Sequence, residues 1–165
     1  MEELLFEKSV VVTHRQIVLQ NTYDAFTTKL ESTIKFLDVE YAKDVLSEPG
    51  KVQSYLKSLE GSTGLILFNI QNHGALLNMY GKSRKAKQYV IGNPLIAIQM
   101  TIHDIRASLY APLRMIVYED ENKQAFVEYD LPSSLFGQFG NNEVLQVAMG
   151  LDAKLFYVVS MCDRL

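Results

Sequence analysis

Two short polar segments that follow strand-like runs are the best candidates for chemistry in this sequence. Asn72-His73 follows the apolar run 65–70, and Gly92-Asn93-Pro94 follows the run 87–91. Histidine titrates near neutral pH, so His73 could act as a general acid, a general base or a ligand. A lone histidine is more often satisfied by a neighbouring carbonyl or carboxylate, and Asn72 offers no local carboxylate for an acid–base dyad.

The tripeptide Gly92-Asn93-Pro94 has a complete explanation as the start of a helix. Glycine allows a sharp exit from the strand, asparagine caps the first turn, and proline at the first helical position sacrifices no hydrogen bond. The same geometry offers N–H groups and a partial positive charge that can hold an anion. The sequence therefore leaves both a capping role and an anion site open.

Other kinds of site have no signature in the sequence. His14, His73, His103 and Cys162 do not stand at metal-ligand spacing, so we predict no metal site. Nucleophile-elbow, Walker and dinucleotide-binding patterns are also missing, and we predict no cofactor. The basic run 82–87 could meet an anionic ligand, although such runs are usually solvated loops.

The composition of the chain indicates which classes of partner are unfavourable and which cellular compartment fits. The chain has 16 basic and 19 acidic residues, a formal charge of -3, which argues against nucleic-acid binding. The apolar run 10–12 is too short for a membrane span or a signal-peptide core, so we predict no membrane association. A single cysteine is consistent with a reducing compartment, and we predict a cytoplasmic protein.

The elements that must position these residues can be predicted from periodicity. Strand patterns cover 9–19, 65–70 and 87–91, and we predict the second of these to be a buried central strand. Apolar residues at spacings of three and four predict a helix over 23–37, opening at Asn21-Thr22. The less regular segment 38–63 is interpreted as a helical excursion, or insertion.

The sequence pattern in the second half of the chain predicts a helix, a hairpin and a final long helix. Pro94 opens a helix to about residue 104, with Leu95, Ile98 and Ile102 expected to face inward. Two strand-like runs, 113–118 and 125–129, flank the polar turn 119–123 and predict a β-hairpin. Asn141 or Asn142 is expected to cap the C-terminal helix.

These patterns predict one α+β domain over residues 1–165. The expected fold is a small mixed, mainly antiparallel sheet of about four to five strands, with helices packed on it and a long C-terminal helix.

The order of four segments resembles a bacterial and archaeal family, domain of unknown function 302. The likeness is carried by Ile70-Gln71-Asn72-His73, Gly92-Asn93-Pro94, the run 111–120 and Val127-Glu128-Tyr129-Asp130-Leu131-Pro132. The sequence departs from the family pattern at Asn72, at Ala111 and in the longer segment 38–63. The resemblance implies a compact α+β sandwich, often dimeric, without an established activity.

The candidate ligand-binding residues are therefore Asn72, His73, Gly92, Asn93 and Tyr129. Our leading hypothesis is a non-enzymatic homodimeric module that binds a small ligand, which could be anionic, or a partner.

The alternative hypothesis is a small enzyme that uses His73 as general acid or base beside the helix start at Asn93, acting on a small anionic substrate. It requires a second titratable group near His73, such as Glu119, Glu128 or Asp130, in a concave pocket.

Two further expectations concern association. The run 155–159 is apolar on every face of a helix, so either all its faces are buried or one meets another subunit. A third hypothesis, a structural subunit of a larger assembly, predicts an exposed apolar patch on segment 38–63.

Overall fold

Five strands form a single antiparallel sheet in the computed structural model, which describes residues 5–38, 40, 43 and 48–163. The strands are β1 (His14–Val18), β2 (Ile66–Asn72), β3 (Ala86–Gly92), β4 (Leu113–Glu119) and β5 (Ala125–Asp130). Their order across the sheet is β1-β5-β4-β3-β2, and every neighbouring pair is antiparallel. The α+β fold class is thus confirmed.

The helices are packed around this sheet. They are α1 (Tyr23–Thr33), α2 (Pro49–Leu59), α3 (His73–Leu77), α4 (Pro94–Thr101), α5 (Pro132–Phe136) and the 22-residue α6 (Asn142–Asp163). Single 3-10 segments follow α3, α4 and α5, at Asn78–Tyr80, Ile105–Tyr110 and Gly137–Phe139. The predicted long C-terminal helix is confirmed as α6.

The main core lies between one face of the sheet and helices α1 and α6. Alternate residues of the central strands point into it, such as Tyr89 of β3, Val117 of β4 and Val127 of β5, as the period of two requires. Phe26 of α1 and Leu155 of α6 pack against them. A smaller cluster around Ile66 lies under α2.

Helix α6 is long and apolar enough, by length and composition alone, to cross a membrane. Its buried residues pack into the core with α1 and the sheet, and this packing accounts for their apolar character. In the run 155–159, Leu155, Val158 and Val159 are buried, whereas Phe156 and Tyr157 are about half exposed. The alternative in which every face of this run is buried within the chain is therefore wrong, and a contact of its open side with another subunit stays a prediction.

Local signals correctly predicted several boundaries. The hairpin of β4 and β5 is formed, and its turn is closed by Asp120, whose carboxylate accepts from the Asn122 and Gln124 amides. Thr22 caps α1 by accepting from the Ala25 amide, and Asn141 accepts from the Val144 amide at the start of α6. The expected strand 9–19 is shorter, since only His14–Val18 pairs with β5.

The prediction that 65–70 is a central strand is wrong, because β2 is an edge of the sheet. Residues 35–37 run along its outer side, where the Leu67 amide donates to the Lys35 carbonyl and the Leu37 amide donates to the Leu67 carbonyl. This contact also ends α1 at Thr33 rather than at Leu37. The run is apolar because both of its faces are covered, not because strands flank it on both sides.

The predicted inward face of α4 is wrong for Ile98 and Ile102, whereas Leu95 packs against the smaller cluster around Ile66. Ile98 and Ile102 are 61% and 76% exposed, whereas Met100 is buried. The helix ends at Thr101, before the predicted boundary near residue 104. Apolar residues occupy nearly every position of this segment, so their spacing defines no single face. Packing of the helix against the core determines that the side with Met100 is buried.

Candidate functional site

An apolar pocket of about 210 Å³ lies where β3 ends and α4 begins. Its floor and walls are apolar side chains from the sheet, α4 and the helices behind it: Phe68, Ile96, Ala97, Met100, Leu113, Phe136 and Leu151. Gly92, Asn93 and Pro94 form one side, and Ala111 with the exposed Pro112 forms another. The Ala111–Pro112 peptide bond is cis.

Gly92 contributes to the pocket through its lack of a side chain. A Cβ atom at this position would lie 3.4 Å from Cβ of Pro112 and 3.7 Å from Cε2 of Phe68. The space between these two rings stays open because residue 92 places nothing in it.

Asn93 holds the start of α4 to the turn after α2. It is 5% exposed, and its Oδ1 accepts from the Leu95 amide at 2.8 Å. Its Nδ2 donates to Oε1 of Glu60 at 2.8 Å and to the Gly64 carbonyl at 2.9 Å. Every polar atom of this buried side chain therefore has a protein partner, as buried amides require.

The contact with Asn93 also affects the pKa of the Glu60 carboxyl group. Lys57, whose Nζ lies 2.7 Å from Oε2 of Glu60, lowers the pKa of this carboxyl, and the hydrogen bond from Asn93 lowers the pKa further. Glu60 is consequently an ionised acceptor that anchors the Asn93 amide group.

The capping role, not the anion site, explains Gly92-Asn93-Pro94. The Ile96 and Ala97 amides both donate to the Asn93 carbonyl, at 3.0 and 2.8 Å, and the Leu95 amide donates to the Asn93 side chain. Proline has no N–H. Within the described chain, the first turn of α4 therefore has no free donor to offer an anion.

Asn72 and His73 lie at the opposite end of β3. Asn72 pairs with Lys87, whereas Gly92 pairs with Ile66 at the other end. The five residue steps from Lys87 to Gly92 correspond to about 17 Å along the strand. The structure thus does not bring His73 beside Asn93, which the predicted enzyme arrangement required.

The immediate roles of these two residues are those of a short helix start. Oδ1 of Asn72 accepts from the Ala75 amide at 2.9 Å, which caps the five-residue helix α3. His73 is the first residue of that helix and is exposed. Among the described residues, none of the predicted carboxylate partners, Glu119, Glu128 or Asp130, forms a hydrogen bond with it.

Tyr129 lies in a third place, inside the main core on β5. It is 2% exposed, and its hydroxyl accepts from a guanidinium nitrogen of Arg15 at 3.4 Å. Burial raises the pKa of Tyr129. The five candidate residues therefore do not converge on one site: only Gly92 and Asn93 line the apolar pocket.

Residues 41–161 match the family model described as "Domain of unknown function DUF302". The chain belongs to this family. The resemblance predicted from the four short segments is confirmed by that match.

A solved structure shares the fold of this DUF302 chain. It is the crystal structure of an uncharacterized conserved DUF302 protein from Bacillus stearothermophilus, with a TM-score of 0.65 and 14% sequence identity. The comparison covers 90% of this chain and 97% of that chain. No curated protein matches the sequence. At this identity the likeness shows the fold alone.

Sequence reasoning missed a partly buried polar cluster at the Lys87 end of the DUF302 sheet. The hydroxyl of Tyr89 donates to Oε1 of Glu31 at 2.7 Å, and Nζ of Lys87 donates to the same oxygen at 2.8 Å. Burial and the nearby carboxylate raise the pKa of Tyr89 far above its usual range. The cluster joins α1 to β3 across more than fifty residues of sequence, so no local sequence pattern could predict it.

Most of the pocket lining was missed as well. Ala111-Pro112 appeared only as part of a family-like strand, and Phe68 as part of an apolar run. The one usable signal was Gly92, whose family-like tripeptide marks the pocket's edge.

The described part of the chain offers few groups for metal binding or for thiol chemistry. No group of three or more His, Cys, Asp or Glu side chains there is placed to hold a metal ion. Cys162 is buried, and burial raises the pKa of its thiol, which therefore remains protonated at neutral pH.

Proposed function

We propose that this DUF302 domain is a non-enzymatic binding module that holds a small apolar ligand in the pocket between β3, α4 and Pro112. The observation that supports the proposal is the pocket itself, about 210 Å³ of space lined mainly by apolar side chains. An apolar protein cavity of about 150 Å³ binds benzene. The pocket therefore fits a single aromatic ring or a short branched hydrocarbon group.

An apolar ligand fits this site better than an anionic one. The amide hydrogens at the start of α4 and both polar atoms of Asn93 already have protein partners. A charged group placed here would lose its hydration without gaining hydrogen bonds, which is costly. An apolar group would gain roughly 25 cal/mol for each Å² that it removes from water.

Binding without catalysis is supported by the chemistry of the lining. Among the described residues that line the pocket, none has a titratable side chain. General acid–base catalysis needs such a group within hydrogen-bonding reach of the reacting atom. The enzyme alternative would instead have to use the exposed His73 at the far end of the sheet, outside this pocket.

The proposal includes a homodimer in the cytoplasm. Self-association is supported by large apolar side chains that stand exposed on the surface of the single chain. The cytoplasm is supported by the single, buried and unpaired cysteine, Cys162, which suits a reducing compartment.

Toluene and indole are suitable probes, and thermal shift with isothermal titration calorimetry is the primary test. At ten times its dissociation constant, a ligand stabilises the native state by about 1.4 kcal/mol. We expect toluene, indole or both to stabilise the wild-type protein. Ala97→Phe, which places a ring in the pocket, should abolish that stabilisation, because Ala97 lies in the wall.

Ala153→Phe provides the matched control. Ala153 is exposed on α6 and does not line the pocket, so the variant should keep the wild-type response. Circular dichroism verifies that both variants are folded. The milder Gly92→Ala should weaken binding if Ala97→Phe fails to fold, since its Cβ would enter the space beside Pro112. Equal responses of wild type and Ala97→Phe, or no response of wild type to either probe, would rule the proposal out.

A further inference from the structure

His14, the first residue of β1, lies between two carboxylates of β5. Its Nδ1 is 2.8 Å from Oδ1 of Asp130, and its Nε2 is 2.9 Å from Oε2 of Glu128. The three side chains share one face of the sheet, because His14 pairs with Asp130 and Glu128 is two residues before Asp130. We call these three residues the His14 cluster.

We propose that the His14 cluster is a pH-sensitive switch, which holds β1 to β5 while both nitrogens of the imidazole are protonated and loosens β1 when the ring loses a proton. This inference goes beyond the proposed binding function and does not depend on the apolar pocket.

The two contacts of the ring require its charged form. A neutral imidazole has one N–H donor and one acceptor nitrogen, whereas an ionised carboxylate can only accept. A neutral His14 can therefore bond one carboxylate while its other nitrogen turns a lone pair toward the second. The imidazolium has two N–H donors and satisfies both contacts, so the observed geometry is that of the charged ring.

Glu128 faces His14 as an ionised acceptor. Nε2 of Gln16 donates to Oε1 of Glu128 at 2.6 Å, and the hydroxyl of Tyr118 donates to the same oxygen. Burial acts against ionisation, but the hydrogen bonds from Tyr118, Gln16 and His14 together lower the pKa of Glu128. Oε2 is thus left to accept from the His14 ring.

The charged groups around the ring come from three strands. Glu128 and Asp130 of β5 are the groups that act on it. Arg114 of β4 is on the same face of the sheet, but among the described residues no hydrogen bond or ion pair joins it to the cluster. Arg15 of β1 is on the opposite face, where its guanidinium lies over the ring of Tyr129. Negative charge therefore dominates the surroundings of His14.

This arrangement sets the direction of the pH dependence. The hydrogen bond to Asp130, followed by the one to Glu128, raises the pKa of His14 above its usual value of 6.5. Because the pKa is higher in the folded state, the stabilisation is complete below pH 6.5 and is lost as pH rises through the folded-state pKa. The switch therefore changes state on the alkaline side of that usual value.

The edge strand β1 is the element that responds. It has five residues, and β5 is its one neighbour in the described sheet. Residues 5–13 before it lie outside the helices and strands, where the Thr13 amide donates to Oγ of Ser134 and Nζ of Lys8 donates to the Gln138 carbonyl. Edge elements open locally at a lower cost than the whole fold. Loss of the contacts at His14 therefore affects β1 more than the central strands.

NMR titration and amide hydrogen exchange of the whole chain test the inference. We expect the ring signals of wild-type His14 to titrate with a midpoint above 6.5, and Asp130→Asn and Glu128→Gln each to lower that midpoint. The His14 side chain is 55% exposed, so the effect on β1 is modest. Between about pH 6 and about pH 9, protection of the β1 amides, corrected for chemical exchange, should fall about two- to fivefold relative to β4.

His14→Gln removes the titrating ring and should abolish the pH dependence of exchange in β1. His103→Gln is the matched control, because His103 is an exposed histidine outside the cluster, and this variant should retain the wild-type response. Circular dichroism verifies that both variants are folded. If His14→Gln does not fold, the His14 midpoint in Glu128→Gln decides the test.

Two sets of results would overturn the inference. A His14 midpoint at or below 6.5, or one that neither carboxylate variant lowers, would show that the ring is not held in its charged form. A loss of protection that is equal in β4, or that persists in His14→Gln, would show that the cluster does not control β1.

Discussion

The two ends of β3 present the same local sequence pattern but differ in what surrounds it. Beside one end Asn93 follows β3 and caps α4, and beside the other Asn72 is the last residue of β2 and caps α3. Asn93 is buried and bonded to two other segments, whereas Asn72 is exposed and, among the described residues, its side chain bonds only to the Ala75 amide of its own turn. One asparagine is therefore a tertiary anchor beside a pocket, and the other is a local cap.

The difference shows that a cap motif does not by itself locate a site. At the Gly92 end, β2, α4, α5, α6 and the loop at Pro112 meet around an apolar space. At the Lys87 end, a short helix lies against the chain that enters β3, and charged pairs stand beside an open, mainly polar pocket of about 400 Å³ that Asn72 helps to line. The following predictions test this contrast.

Gly74→Ala should have the largest effect, because α3 contacts backbone at the Lys87 end. An added Cβ would lie 2.2 Å from the Arg84 carbonyl oxygen and 2.8 Å from the Ala86 amide nitrogen, so the backbone would have to move. We expect urea denaturation to reveal a loss of about 3 kcal/mol in the free energy of unfolding.

Gly150→Ala serves as the control for that variant. Apart from its chain neighbours and the backbone of its own helix, no atom lies within 4 Å of the added Cβ, and Gly150 is inside α6. Replacing a helical glycine by alanine should stabilise by roughly 0.5–1 kcal/mol. A loss below about 1 kcal/mol for Gly74→Ala would mean that α3 can move away from β3 at little cost.

Asn93→Ala should cost more than Asn72→Ala, which directly compares the two caps. The first change removes a cap and takes the Asn93 donor away from the Gly64 carbonyl and from Oε1 of Glu60, a loss of about 2 kcal/mol. The second removes an exposed cap of a five-residue helix and should cost about 0.5–1 kcal/mol. Equal losses in denaturant titrations would contradict the distinction between anchor and local cap.

Glu60→Gln removes a titrating carboxyl group beside the Gly92 end, so the free energy of unfolding of this variant should depend less on pH than that of the wild type. Lys57 and Asn93 lower the folded-state pKa of Glu60 below the usual value of 4.5. The stabilisation by ionised Glu60 is therefore present above that value and is lost as pH falls through the folded-state pKa.

The expected difference between wild type and Glu60→Gln is up to about 1 kcal/mol at neutral pH, because Lys57 is exposed. Unfolding curves at several pH values should show this difference shrink toward zero in acid. Glu7→Gln, at an exposed site outside the helices and strands, is the reference. A gap that persists unchanged in acid would exclude the ionised Glu60 as its source.

His73→Ala should have the smallest effect. The side chain is exposed and lies at the start of a short helix, so we expect a change in stability within about 0.5 kcal/mol. Binding of toluene or indole should also be unchanged, because the pocket lies at the other end of β3. Loss of ligand binding in this variant would link the two ends and weaken the contrast.

The features that could be predicted are those formed by hydrogen bonds between residues close together in the sequence. The cap at Thr22, the cap at Asn141 and the hairpin turn at Asp120 each close within a few residues, so residue type and spacing suffice. The family likeness likewise depended on the order of short local segments, and the matched region confirms it.

The candidate site was predictable only in part. Gly92 and Asn93 were identified because a strand exit and a helix start leave clear residue types. The pocket beside them also needs Phe68, Pro112 and Phe136, which come together from three separate parts of the chain. Nothing in their own neighbourhoods distinguishes them from ordinary core residues.

Amino-acid order alone therefore determined the fold class, the caps and the turn, because local hydrogen bonds and the period of apolar residues decide these features. Tertiary packing decided that β2 is an edge, that Ile98 and Ile102 of α4 face outward, and that Asn72 and Gly92 lie about 17 Å apart along the length of β3. The physical reason is that an apolar segment can bury any of its sides, and only the shape of its neighbours selects which one. At the Gly92 end that selection left an apolar pocket, and at the Lys87 end it left a capped, exposed turn beside an open polar pocket.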